Sequence, residues 1–249
     1  MNKILIIYAY PNEAEHGKKI LGAVIDTLDK QQIKYSIIDL YSENFNPVLN
    51  FEEYKKYGEY MSYDVARYQK ELKNASIYVF IYPVWWSTPP AILKGFIDRV
   101  FLPNFAFRFE NNSLKGLLGG KVALVICTYG GSAAHEQKVG FVSKKFIQNV
   151  VLESCGIKTQ VFEIYSVDRM DKTVFEHILF QISGAINRVI NLYKNLYTQQ
   201  KSLKEMIEKS QQKQLDPSRD LDRSGFEDLK YFQTEQKKAK QNARKSKRF

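Results

Sequence analysis

Apolar residues follow two alternating patterns along the chain. Short runs rich in β-branched and aromatic residues predict strands that are buried on both faces, over residues 4–8, 35–40, 77–81, 122–127 and 159–165. Apolar positions three and four residues apart predict helices between them and after the last one, over residues 17–28, 65–72, 92–101, 139–150 and 173–189. Parallel strands joined by helical crossovers have both faces covered. The pattern therefore predicts a three-layer α/β sandwich around a five-stranded parallel sheet.

The junction after the third predicted strand is an aromatic loop bounded by prolines. Trp85 and Trp86 follow the strand, and then come Pro89 and Pro90, which suit a first helical turn but not the interior of a strand. In open parallel sheets, ligands bind outside the carboxyl ends of the strands, which is where this loop lies. From composition alone, the tryptophans are equally consistent with ordinary core aromatics.

Two further strand-end loops suit a ligand. The loop over residues 10–18 opens onto a helix N-terminus, where backbone amides can bind phosphate. The loop after the fourth strand contains Gly130 and Gly131, which let the backbone approach a flat ligand. The first strand is followed by neither GxGxxG nor a P-loop, which argues against a dinucleotide Rossmann site. The loops together predict a phosphate end and a slot for a flat aromatic ring.

Composition adds the class of protein and its compartment. The chain has 249 residues, of which 44% are hydrophobic and 14% aromatic, as expected of a packed globule. Cys127 and Cys155 form neither a CxxC pair nor a metal-binding spacing, so we interpret them as buried thiols in a reducing compartment and predict no metal site. Every apolar segment is shorter than the roughly 18 residues of a membrane span, so we expect a cytoplasmic protein.

The C-terminal part of the chain differs in charge. Residues 196–249 contain 14 Lys/Arg against 8 Asp/Glu, out of a net charge of +10 for the whole chain. We predict a domain over residues 1–197 and a basic, weakly hydrophobic extension over residues 198–249. Such a segment is usually a solvated tail, and the alternatives are docking to an anionic membrane surface, to an acidic protein partner or to nucleic acid. Aromatic residues are not interleaved with the basic ones, which argues against specific nucleic-acid binding.

The segment over residues 82–101 resembles the flavin-contact segment of the NAD(P)H:quinone oxidoreductases, the DT-diaphorase-like enzymes of flavodoxin fold. The matching residues are Pro83, Val84, Trp86, the run 90–95 and the run 99–101. Two further loops resemble that family. The loop after the second strand matches it at residues 39–41 and 44–47, and the second flavin loop matches it at Thr128, Gly130 and Gly131. The resemblance covers residues 1–195. It implies a flavodoxin-like fold, a homodimer with the flavin at the subunit interface, and quinone, azo or nitro-aromatic acceptors.

The resemblance also implies a mechanism and a set of site residues. Hydride passes from NAD(P)H to N5 of a non-covalently bound FMN or FAD, and two electrons then pass to the acceptor. The implied cofactor-binding residues are Tyr10, His16, Gly17, Lys18, Pro83, Val84, Trp85, Trp86, Ser87, Thr128, Tyr129, Gly130 and Gly131. Trp86, Phe105, Phe107 and Phe109 are the implied substrate pocket. Tyr129 and His135 are the nearest candidates for the family's catalytic Tyr/His pair, although His135 is also consistent with a surface histidine and Tyr129 with a packing role.

The chain departs from the family pattern in its phosphate loop and its acceptor pocket. Tyr10 replaces a histidine, Ala14 or Glu15 occupies the position of a serine, and Gly17 replaces an asparagine. A glutamate beside a phosphate is unfavourable unless it points to solvent and the amides, with His16 or Lys18, hold the anion. Phenylalanines at 107 and 109 replace tyrosines of the mammalian enzymes. The sequence leaves open FMN or FAD and NADH or NADPH. The alternative function is a non-catalytic flavoprotein, an ancillary subunit that docks through its basic tail.

Overall fold

The central feature of the protein is one parallel sheet. The computed structural model describes residues 3–11, 15–59 and 61–214, without the side chains of residues 209–214. Its sheet contains β1 (Lys3–Tyr8), β2 (Tyr35–Asp39), β3 (Ala75–Pro83), β6 (Val122–Thr128) and β7 (Lys158–Ile164). All neighbouring strands are parallel, in the order β2-β1-β3-β6-β7. This is the flavodoxin-like order, so the predicted five-stranded sheet is confirmed.

Helices cover both faces of the sheet. On one face, α1 (Glu15–Lys30) and α7 (Lys172–Gln214) pack against residues such as Ile4 and Ile6 of β1. On the other face, α3 (Tyr63–Asn74), α4 (Ala91–Val100) and the π-helix Phe146–Glu153 pack against residues such as Leu5 and Ile7. Because successive side chains of a strand point to opposite faces, β1 contributes to two separate cores. The predicted three-layer sandwich is confirmed.

Three connections differ from what the sequence pattern indicated. After α4, the chain forms an antiparallel hairpin of β4 (Phe107–Glu110) and β5 (Ser113–Gly116). The helix predicted over residues 139–150 is instead α5 (Ala133–Lys138), α6 (Val142–Lys145) and the π-helix. The connection between β2 and α3 contains a short helix, α2 (Phe51–Lys55).

A buried arginine fixes the connection between β2 and α3 to α4. The Arg99 guanidinium donates to both carboxylate oxygens of Glu53, at 2.9 and 2.6 Å, and these two side chains are 4% and 5% exposed. It also donates to the Asn46 carbonyl at 2.6 Å and to Asp64 at 3.0 Å. Since α4 begins directly after the aromatic loop, this network helps to hold the segment that presents Trp85 and Trp86.

The C-terminal helix continues beyond the predicted domain boundary. The chain divides into two units, Met1–Gln200 and Lys201–Phe249. In the second unit, residues 201–208 are the exposed last turns of α7 whose side chains are described. The boundary between residues 197 and 198 stays a prediction, and residues 215–249, which hold most of the basic tail, lie outside the described residues. Within the described part of the chain, no helix combines the length and apolar character needed to cross a membrane.

Candidate functional site

A cavity of about 510 Å³ lies at the carboxyl end of the sheet. This volume falls within the range of about 300–1,000 Å³ that is typical of small-molecule sites. The lining residues come from the loops after β1, β3, β6 and β7: Tyr10, Pro11, His16, Pro83, Val84, Trp85, Trp86, Thr128, Gly130, Gly131, Val167 and Asp168. The loops that the sequence singled out therefore meet at one cavity.

The aromatic loop is a tight turn that exposes both tryptophans. Trp85 and Thr88 exchange backbone hydrogen bonds of 3.0 Å, while Trp86 and Ser87 between them have φ angles of 51° and 55°. Such left-handed angles cost free energy outside glycine and are often found at functional sites. Trp86 is 98% exposed and Trp85 46% exposed. The alternative that these tryptophans are core aromatics is wrong.

Backbone hydrogen bonds hold the glycine loop in place between its neighbours. On one side, the Val84 amide donates to the Thr128 carbonyl at 2.8 Å. On the other, the Ser166 amide donates to the Gly131 carbonyl at 2.9 Å, and the Val167 amide to the Tyr129 carbonyl at 3.0 Å. Gly130 and Gly131 are exposed at the cavity. A flat ligand can therefore approach the backbone here without meeting a side chain on the loop itself.

Tyr10 connects the loop after β1 to the end of β6. Its hydroxyl is hydrogen-bonded to the Thr128 hydroxyl, and its ring stacks on Tyr8 at 5.8 Å between centroids. Burial raises the pKa of Tyr10 well above its usual value, so it is a neutral phenol at physiological pH. Gly17 lies beneath it, and a Cβ at this position would come within 2.4 Å of the Tyr10 ring. The structure thus shows why the first turn of α1 needs a glycine, and a contact of Gly17 with cofactor stays a prediction.

The helix start contains one residue that faces the cavity. His16 is half-buried, lines the cavity and packs edge-on against Phe175 at 5.0 Å. Lys18 is exposed and is not among the lining residues. The exposed Glu15 forms an ion pair with Lys19 at 2.6 Å, so it has a cation of its own on the helix surface. Residues 12–14, which include the substitution at Ala14, lie outside the described residues.

The two predicted catalytic residues do not line the cavity. Tyr129 is buried, stacks on Tyr165 at 4.8 Å and donates its hydroxyl proton to Glu163 at 3.0 Å. Burial raises the pKa of its phenol well above the usual value. His135 is exposed on α5, where the Ser132 side chain caps its amide at 3.3 Å. A catalytic role for Tyr129 or His135 stays a prediction.

Most of the predicted substrate pocket also lies outside the cavity. Of the four predicted residues, Trp86, Phe105, Phe107 and Phe109, only Trp86 lines the cavity. Phe105 packs partly buried against the core, whereas Phe107 and Phe109 contact each other edge-on at 5.8 Å on the β4–β5 hairpin. Phe109 is 71% exposed. Ser87 of the aromatic loop is half-buried and does not line the cavity either.

Sequence reasoning missed the contribution of the loop after β7. Val167 and Asp168 belong to a short 3-10 helix, Val167–Arg169, which follows directly after that strand. Its position at the carboxyl end of a parallel strand was the signal that could have identified it.

The residues present fit a flavin. The cavity combines exposed indoles, a glycine loop that leaves room for a flat ring, and a histidine at the start of a helix, where an anion is favoured. Within residues 3–11, 15–59 and 61–214, no three His, Cys, Asp or Glu side chains are grouped to hold a metal ion.

Comparison with known proteins gives consistent relatives. A family model described as flavodoxin-like fold matches residues 2–179. The ribosyldihydronicotinamide dehydrogenase [quinone] of Pongo abelii is 32% identical over 182 residues, which are 63% of this chain and 78% of the relative. The crystal structure of Smu.1420 from Streptococcus mutans superposes with a TM-score of 0.67 at 32% identity, covering 74% of this chain and 97% of the other.

A third relative shares the fold at lower identity. An FMN-dependent NADH-azoreductase of Bacillus anthracis, solved in complex with FMN, superposes with a TM-score of 0.62 at 21% identity. The match covers 76% of this chain and 99% of the azoreductase.

Proposed function

Since the chain belongs to the family with the flavodoxin-like fold, we propose that it is a flavin-dependent NAD(P)H oxidoreductase resembling the NAD(P)H dehydrogenases (quinone). It transfers two electrons from NAD(P)H to quinones or to similar small aromatic acceptors with azo or nitro groups. The observation that carries this proposal is the cavity, because residues matched to the flavin loops of the family line it together. The relative of Pongo abelii, named ribosyldihydronicotinamide dehydrogenase [quinone], supports a dehydrogenase that uses a quinone acceptor.

The cofactor of the proposal is non-covalent FMN, and FAD is the other candidate. The azoreductase relative, which was solved with FMN, supports FMN. When bound, the flavin would supply the two-electron hydride chemistry that links NAD(P)H to the acceptor. The chain's part is to position the ring and exclude water.

Each loop has a separate task in this proposal. The backbone of Val84–Ser87 would lie along one edge of a bound ring, with Trp86 as a wall. Thr128, Gly130 and Gly131 would border its pyrimidine side. His16 and the first amides of α1 attract the phosphate, assisted by Lys18, because a helix N-terminus carries partial positive charge.

The acceptor side of the site is less complete in a single chain. Phe109 and Trp86 are 71% and 98% exposed, and Phe51 and Tyr63 elsewhere on the surface are 71% and 90% exposed. Large exposed aromatic side chains are frequent at protein interfaces. We infer a homodimer that covers such residues and places Phe107 and Phe109 next to an acceptor pocket. Sedimentation velocity tests this, because a monomer at micromolar concentration would contradict it.

We further propose a cytoplasmic location and a docking role for the basic tail. Cys127 and Cys155 are free and buried, as expected in a reducing compartment. Deleting residues 215–249 should leave flavin binding unchanged and abolish co-sedimentation with anionic lipid vesicles. Retained binding to the vesicles by the truncated chain would contradict the tail's role.

The alternative of a non-catalytic flavoprotein finds no support in the relatives, which include a dehydrogenase and an azoreductase.

Identification of the cofactor tests the proposal at its base. The full-length protein is purified, saturated with an equimolar mixture of FMN and FAD, freed of excess by gel filtration and denatured, and the released flavin is identified by chromatography. One flavin per chain, mainly FMN, is the expected result. A protein that retains neither flavin would contradict the proposed function.

A further inference from the structure

Asp168 places a carboxylate at the glycine loop of the cavity. Its short helix is held by the two backbone hydrogen bonds that join Ser166 and Val167 to the glycine loop. A Cβ built on Gly130 would come within 2.9 Å of the Asp168 Oδ2 atom. The absence of a side chain at Gly130 is therefore what allows the carboxylate to lie so close to the loop.

The Asp168 side chain has no direct partner among the described residues. Asp168 is the sole carboxylate among the described residues that line the cavity. Neither a hydrogen bond nor an ion pair links its side chain to another described residue. Its negative charge is also felt by Tyr10, whose pKa is raised chiefly by burial and to a smaller extent by Asp168. The exposed Asp168 carboxylate therefore gives the cavity a negative charge.

A fixed negative charge acts differently on the two redox states of a flavin. The oxidised ring is neutral. Hydride transfer from NAD(P)H breaks the donor's C–H bond and adds two electrons and one proton to the ring, which gains one negative charge until a second proton arrives from solvent. A carboxylate beside the ring opposes this charge, while it affects the neutral ring far less.

We propose that Asp168 tunes the redox properties of the site: its carboxylate lowers the reduction potential of the flavin bound in this cavity and makes the reduced enzyme a stronger reductant. This inference rests on the proposed function, and in particular on the placement of Gly130 at the pyrimidine side of the ring. Asp168 acts on the bound flavin only through its charge and takes no part in hydride transfer itself.

The chain offers a matched control for the charge. Asp171 is also exposed, does not line the cavity and accepts a hydrogen bond from the Thr173 amide at 2.8 Å at the start of α7. Asparagine is an equally good residue at a helix N-terminus. D171N therefore removes the same unit of charge three residues away and keeps the structural contact, whereas D168N removes the charge at the cavity.

The experiment measures the midpoint potential of bound FMN by anaerobic equilibration with a reference dye. Relative to the unmodified protein, D168N and D168S should raise the potential, whereas D168E, which keeps the carboxylate, and D171N should leave it unchanged. The affinity of D168N for reduced FMN should increase by about two- to fivefold, the range for one partly exposed charge pair, while the affinity for oxidised FMN stays nearly constant. Far-UV circular dichroism checks that each variant is folded.

The outcomes separate this inference from the proposed function. Bound FMN with equal potentials in the unmodified protein and D168N would overturn the inference and leave the proposed function standing. A shift of the same size in D171N would also overturn it, because the effect would then belong to net surface charge. An unmodified protein that binds no flavin would overturn both.

Discussion

Replacing Arg99 by methionine should strongly destabilise the protein. Arg99 binds both carboxylate oxygens of Glu53, and the two side chains are 4% and 5% exposed. In R99M, Glu53 keeps only the hydrogen bond from the Ser62 hydroxyl, at 2.7 Å, and its own backbone contacts. Removing one partner of a buried ion pair leaves an uncompensated charge, which typically costs about 3–5 kcal/mol. We expect a loss of that size in the free energy of unfolding at neutral pH.

The assay is urea unfolding followed by circular dichroism at a fixed concentration of chain, for R99M, E53L and the double variant R99M/E53L. Because the double variant has no unpaired buried charge, we expect it to be more stable than R99M alone. Asp64 is 41% exposed and can be solvated when Arg99 is lost. A loss below about 1 kcal/mol in R99M, the range of a surface pair, would refute the reasoning.

The same variant has a pH signature. The hydrogen bonds from Arg99 are the largest cause that lowers the pKa of Glu53 below its usual value. A carboxylate whose pKa is lower in the folded state contributes stability that is complete above the unfolded value of about 4.3 and is lost as pH falls through the folded value. The stability difference between the unmodified protein and R99M should therefore shrink below about pH 4.3. A constant difference over that range would contradict the assignment to Glu53.

Three further predictions concern the packing around the site. G95A should destabilise the protein by about 1–3 kcal/mol, because its Cβ would lie 2.2 Å from the Pro47 carbonyl oxygen. The control G22A, whose Cβ meets nothing within 4 Å, should be neutral or slightly stabilising. Equal effects of the two variants in thermal unfolding would contradict this. Y10F loses the hydrogen bond that joins the loop after β1 to Thr128 at the end of β6. This should cost about 0.5–1.5 kcal/mol of stability and weaken FMN binding in fluorescence titrations. Unchanged affinity would argue against a role of Tyr10 in spacing these two segments. Burial raises the pKa of the Cys127 thiol to about 12. The thiol should therefore resist maleimide at pH 8 in the folded state and react on unfolding, as followed by mass spectrometry. Rapid labelling of the folded chain would contradict its burial.

The sheet could be predicted from the sequence because it depends on local patterns. Strands buried on both faces produce uninterrupted apolar runs, as in β3 and β6, and the prolines mark where β3 ends and α4 begins. The alternation of strands and helices does not determine the order of the strands; only the flavodoxin-like fold that the family resemblance implies does so. The hairpin β4–β5 was missed because its residues are largely exposed and carry no core-facing periodicity.

The site was only partly predictable for a different reason. The left-handed backbone at Trp86 and Ser87 is not signalled by any glycine, and it is this turn that exposes the indole. The hydrogen bond between Tyr10 and Thr128 joins residues 118 positions apart, so no local pattern predicts it. Asp168 lies beside Gly130 only because backbone hydrogen bonds between two loops bring them together.

The central claim is that a flavin in this cavity passes electrons from a nicotinamide nucleotide to an aromatic acceptor. The most direct measurement is an anaerobic titration of the FMN-loaded protein, first with NADH or NADPH and then with a small quinone. We predict that one equivalent of nucleotide bleaches the flavin absorption band completely and that one equivalent of quinone restores it. A bound flavin that neither nucleotide bleaches, or that stays bleached after addition of quinone, azo and nitro-aromatic acceptors, would contradict the account.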